Sequence, residues 1–146
     1  MGQQQLLLLV LGIVIVGLAV VVGIQAFGEN QKKANSDALV NDGVRIASDS
    51  QAWRLKPDAF GGGAGNVAAT PWTGLTFEQL GYEEGTQTDC TTYGNINGCF
   101  TMSGQATASL VIEGKSHVAQ KLDNIVTVTV AGTSPEDITT AVKTGS

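Results

Sequence analysis

The sequence predicts an α+β protein: a long N-terminal helix, apolar in its first half and amphipathic in its second, carrying a small antiparallel β-rich C-terminal head. Three observations carry that expectation. Leu6 to Ile24 reads LLLLVLGIVIVGLAVVVGI, without a charge or a hydroxyl. From Gly28 to Lys56 there is no proline, and apolar residues recur at helical spacing. Beyond Pro57 the composition changes in kind, since every threonine of the chain lies there. A chain of 146 residues suits one head and no second globular unit. The division falls into a helical stalk, 1–57, and a head, 58–146.

The first apolar run matches the ~30 Å hydrocarbon core of a bilayer, which needs roughly 20 helical residues. A core helix of a soluble protein seldom stays apolar on every face for this long. A secretory signal would carry a basic segment first and a small-residue cleavage site after, whereas only Met-Gly-Gln-Gln-Gln precedes the run. A membrane helix is expected. Lys32 and Lys33 follow it, on the side that the positive-inside tendency makes cytoplasmic. Glu29 and two downstream cysteines oppose that orientation, and the C-terminal part is expected to be exported.

The second half of the helix repeats Leu39, Ile46 and Trp53 every seven residues, with Val40, Gly43 and Ala47 at neighbouring helical positions. This stripe is expected to pack against the head. Pro57 disfavours helix at Lys56, so the helix should end near Leu55. Counted from about Gln4, it spans ~50 residues and ~75 Å.

In the head, GGGAG at 61–65 opens what reads as a flexible connector to about Thr76. No Gly-Lys-Ser/Thr follows to make a phosphate loop. Cys90 and Cys99 enclose a segment with Gly94 and Asn97-Gly98 as turn signals, which suits a disulfide in an oxidising compartment. Two thiols alone do not fill a tetrahedral zinc site. Strands are expected at 99–102, 107–113 and 125–131. The last alternates Val126, Val128 and Val130 with Thr127 and Thr129. Glu113-Gly114-Lys115 reads as a turn, and 116–124 as either strand or short helix. Ser134-Pro135-Glu136-Asp137 resembles a capped helix start, giving a last helix from Pro135 to Lys143.

Acids outnumber bases 13 to 8, a net charge of −5. The head's only bases are Lys115, Lys121 and Lys143. No basic face for nucleic acid is expected. The single histidine, His117, sits beside a turn and reads as a solvated surface residue. There is no Gly-x-Ser-x-Gly or His-Glu-x-x-His motif. Glu83-Glu84 and Glu136-Asp137 are adjacent and do not face each other across a cleft. The acidic stretch 83–89 lacks EF-hand spacing. A chain without catalytic residues, cofactor or metal is expected.

A glycine followed by a long apolar helix, a continuous amphipathic half, a β-rich head and a two-cysteine loop together resemble a type IV pilin or pseudopilin. That resemblance implies a structural subunit of an extracellular pilus-like filament at the cell surface. The subunit would wait in the inner membrane before assembly. It implies a helical homopolymer with apolar half-helices at the centre and heads outside. Its partners would be other copies, a prepilin peptidase and the pilus assembly machinery. Processing after a glycine maps onto Gly2, leaving Gln3 first. The family's usual initial Phe is then Gln3, and its acidic fifth residue falls on Leu7, or on Gln5 without processing.

Bundle packing would fall to Leu6, Leu7, Leu9, Leu11, Val14, Val16, Val20, Ile24 and Phe27. The amides of Gln3 to Gln5 keep hydrogen-bonding capacity at lower desolvation cost than a carboxylate. Gly12, Gly17, Gly23 and Gly28 permit close approach of neighbouring helices. The alternative is a membrane-anchored extracytoplasmic binding or accessory domain, including a minor pseudopilin of a secretion system. A mere anchor would favour a Gly/Pro/Ser-rich linker at 28–40, and the sequence has none there.

Overall fold

One helix, α1 (Gly2–Leu55), runs 54 residues without a break, about 80 Å at 1.5 Å per residue. It belongs to a computed structural model that describes residues 2–83 and 90–145. Its end at Leu55 obeys Pro57, as the sequence requires. The head supplies five strands: β1 (Tyr93–Gly94), β2 (Cys99–Ser103), β3 (Leu110–Lys115), β4 (Ile125–Val130) and β5 (Ile138–Lys143). They form a single antiparallel meander in the order β1-β2-β3-β4-β5. The architecture is α+β, with the sheet laid along the second half of α1.

Strand alternation makes the core. Val126, Val128 and Val130 of β4, Leu110 and Ile112 of β3, and Phe100 of β2 turn inward. They meet Leu39, Ile46, Ala47 and Trp53 of α1, while Trp72, Leu75 and Phe77 complete the same cluster. Two glycines bring the layers this close. A Cβ on Gly43 would stand 2.8 Å from Val128 Cγ2, so helix backbone rests directly on β4. A Cβ on Gly114 would stand 2.7 Å from the ring of Phe100, its cross-strand partner.

Gly114 corrects one expectation. Glu113-Gly114-Lys115 is not a turn but the last half of β3, paired with Thr127, Val126 and Ile125. The inward glycine leaves room for the Phe100 ring, a common use of glycine inside a strand. The last helix is corrected too. Cap signals at Ser134–Asp137 make one 3-10 turn (Pro135–Asp137), closed by Asp137 Oδ2 accepting from Ser134 N–H at 3.0 Å. The chain then enters β5. Ile138-Thr-Thr-Ala-Val is rich in β-branched residues, and pairing with β4 outweighs a local helix start. Residues 116–124 hold only a 3-10 turn, Val118–Gln120.

The glycine-rich segment is built rather than slack. Gly63 N–H donates to Trp53 O at 3.0 Å and Ala64 N–H to Lys56 O at 3.2 Å. Trp53 Nε1 in turn donates to Gly61 O at 3.0 Å, and the Arg54 guanidinium donates to Gly63 O and Asn66 O. The first two bonds engage carbonyls at the end of α1 that a helix terminus otherwise leaves without partners, and the side-chain bonds hold the loop in place. The run expected as a connector is therefore the C-terminal cap of α1.

Candidate functional site

Two surfaces of α1 have functional character: its free apolar half, and the polar seam that fixes the other half to the head. On the free half, every large apolar side chain from Leu6 to Phe27 is at least half exposed. The set includes Leu6, Leu7, Leu9, Leu11, Val14, Val16, Val20, Ile24 and Phe27, at 50–74%. Burying a side chain of this kind is worth roughly 1.5–3 kcal/mol, so the run represents tens of kcal/mol. That exceeds the ~5–15 kcal/mol that holds a whole domain together. Gly12, Gly17, Gly23 and Gly28 would have nothing within 4 Å of an added Cβ. Packing within the monomer therefore gives no reason for them. Gly2 and Gln3 lie in the first turn of α1, with Gln3 exposed. This half of α1 is long and apolar enough to cross a membrane.

The seam begins just beyond that run. Asn124, fully buried just before β4, donates from Nδ2 to Lys32 O at 2.7 Å and to Asn35 Oδ1 at 3.1 Å. Its Oδ1 accepts Gly145 N–H at 3.3 Å. Asn35 Nδ2 donates to Asn97 O at 2.8 Å, and Lys32 Nζ to Gly145 O at 3.1 Å. Two turns further, Asp42 Oδ2 accepts from the amides of Asn95 and Asn97 at 2.8 and 2.6 Å. At the far end, Gln51 Nε2 reaches Gly132 O and Ser134 O, each at 2.8 Å. From Asn35 to Gln51 the ties span about 24 Å of helix. The head is held at both ends and along the apolar stripe between.

Tyr82 adds a further tie, donating from its hydroxyl to Asp49 Oδ2 at 2.5 Å. Burial, the bond to Asp49 and the charge of Asp49 together push the Tyr82 hydroxyl well above the usual tyrosine range. Cys90 and Cys99 form a disulfide with Cα atoms 5.2 Å apart, joining the chain before β1 to β2. His117 is not the solvated residue the sequence suggests. It is half-buried, with Nε2 2.6 Å from Asn95 O and Nδ1 3.8 Å from Cys99 Sγ. The carbonyl must accept, so Nε2 carries the proton. Among the described residues, the ligand atoms of Cys90, Cys99 and His117 lie within 4.8 Å of one another, but the disulfide consumes both sulfurs. The acidic stretch after Glu83 lies outside the described residues.

Leu39, Ile46 and Trp53 all enter the core. The polar seam was missed. Part of it had a signal: Gln51 falls on the same helical spacing as the apolar stripe and is buried. Asn124 had none, because its partners are Lys32, Asn35 and Gly145, far away in sequence.

Compared with known protein families, curated proteins and solved structures, the chain matches none. Fold and site define a class by outline alone. It is a disulfide-bearing antiparallel head fixed to a long N-terminal helix whose free half is apolar, a pilin-like shape.

Proposed function

We propose that the chain is a non-catalytic structural subunit of a pilus-like filament. Membrane lipid would hold residues 6–27 before assembly, and equivalent helices would bury them afterwards. The carrying observation is the exposure of apolar side chains all round the first half of a helix that continues unbroken into a fixed head. Lipid covers such a surface in a bilayer; outside it, other copies of the same helix must. Head-to-tail contacts that do not close into a ring generate a helical polymer. The seam supports this reading over a tethered accessory domain, because Lys32 and Asn35, where a flexible tether would lie, are bonded to the head.

Electron microscopy of material sheared from the cell surface, with mass mapping of the N-terminus, tests the proposal. Filaments composed of this chain are expected, starting at Gln3 if processing follows Gly2. A chain found only as a membrane-bound monomer would favour the anchored accessory domain.

A further inference from the structure

We propose that the end of the head nearest the apolar helix is a lipid-docking rim, which rests on an anionic bilayer surface while α1 anchors the chain. The inference rests on the membrane reading of residues 6–27. Two exposed apolar side chains mark the rim: Ile96, 83% exposed in the β1–β2 turn, and Val118, 79% exposed in the β3–β4 loop. Their loops are bonded to each other and to α1. Gln120 Nε2 donates to Ile96 O at 3.4 Å, and Asn35 Nδ2 reaches Gln120 Oε1 at 3.3 Å and Asn97 O at 2.8 Å. Asn35 lies about 12 Å along the helix from Phe27. Headgroups occupy ~5–8 Å beyond the hydrocarbon. Apolar side chains on loops at this level stand over the headgroup layer, and α1 passes from the rim straight into the bilayer.

Charge points the same way. Sheet register puts Lys115, Ile125 and Lys143 in one cross-strand row at this end. Lys121 follows the Val118–Gln120 turn, and Lys33 is exposed on α1. All the bases of the head are therefore on the rim. Asp58 and the Glu136-Asp137 turn lie at the opposite end, beside the last turns of α1. Rim acids among the described residues are Glu29, Asp37, Asp42, Asp123 and Glu113; Asp42 is held by the amides of Asn95 and Asn97, and Glu113 is paired with Lys115 at 2.6 Å. An acidic protein that collects its head lysines around two exposed apolar tips, on the face turned to the membrane, complements anionic headgroups. Each lysine near such a surface strengthens binding about fivefold. This use also accounts for Lys32 and Lys33 following the apolar run on an exported side.

The test uses the full chain, one copy per lipid nanodisc, in phosphatidylcholine with or without phosphatidylglycerol. Amine acetylation is read by peptide mass spectrometry at Lys115, Lys121 and Lys143, with Lys56 at the far end as reference. In the anionic discs, labelling of the rim should fall about fivefold or more relative to Lys56, and high salt should restore it. Lys121→Glu with Lys143→Glu should abolish the difference between lipids. Equal labelling in both lipids, with the helix protected from protease, overturns the rim and leaves the membrane reading intact. Digestion of residues 6–27 in either disc overturns the membrane reading, and the rim with it. Protection that requires two copies per disc and ignores lipid charge assigns the rim to a second copy and overturns the proposal.

Discussion

Residues 6–27 and residues 36–53 lie on one continuous helix and bury their side chains in opposite ways. In the second stretch, burial follows one face: Ser36, Leu39, Gly43, Ile46, Ala47, Ser50 and Trp53 are buried against the head, while Asp37, Arg45 and Ser48 face solvent. In the first, apolar side chains occupy every face and none is covered. A helix with one apolar stripe needs one partner; a helix apolar all round needs lipid or several neighbours. The difference separates what folds the monomer from what the monomer must still find.

The largest expected effect comes from placing a charge in the uncovered half. Val14→Asp or Val16→Asp would put an unpaired carboxylate into lipid or into the proposed helix bundle, at a cost of several kcal/mol per copy. Filaments should disappear under electron microscopy while the thermal unfolding of the head stays unchanged. A parallel loss of head stability would break the separation of the two halves.

The reverse experiment strikes the covered half. Phe100, fully buried across from Gly114, should cost about 3–5 kcal/mol when changed to Ala, read by denaturant unfolding. Insertion of residues 6–27 into vesicles should survive in that variant.

How much of this was legible in the sequence follows the same division. The apolar run, the Leu39–Ile46–Trp53 stripe and the alternation of β4 are local periodicities, and each is where the pattern put it. Position 114 misled because glycine beside charges marks a turn locally, whereas here it makes space for a ring on the next strand. The segment after Pro135 misled because its cap signals are real but serve a single turn before β5 pairs with β4. The polar seam joins residues tens of positions apart, and no local pattern encodes such pairs. Within the candidate site, exposure of the apolar half was foreseeable, and the bonding that fixes the head to it was not.

A smaller effect sharpens the seam. Asn124→Ala leaves Gly145 N–H without its acceptor and removes the amide bonds to Lys32 and Asn35. A buried polar group losing its partner costs about 1–3 kcal/mol. Amide hydrogen exchange should accelerate at Gly145 and in α1 around Lys32, while the Gln51 end stays protected. Uniform acceleration along the seam would show that its two ends are not independent.

The smallest effect is one of pH. Because the folded state raises the Tyr82 hydroxyl above its unfolded value, its contribution is fully present below the unfolded pKa of about 10. It is lost as pH rises above that value toward the folded pKa. Unfolding midpoints should show no Tyr82-dependent change from neutrality to about pH 9 and a decline above pH 10. Tyr82→Phe should weaken that alkaline decline; an unaltered decline would assign it to other groups.

The central claim, that the uncovered half of α1 drives assembly and the head alone does not, is tested most directly by removing residues 1–28. Full-length and truncated chains are taken through detergent removal in parallel and followed by sedimentation and electron microscopy. The account predicts filaments or membrane-bound protein from the full chain, and a soluble folded monomer from the truncated one. Filaments from the truncated chain would contradict it.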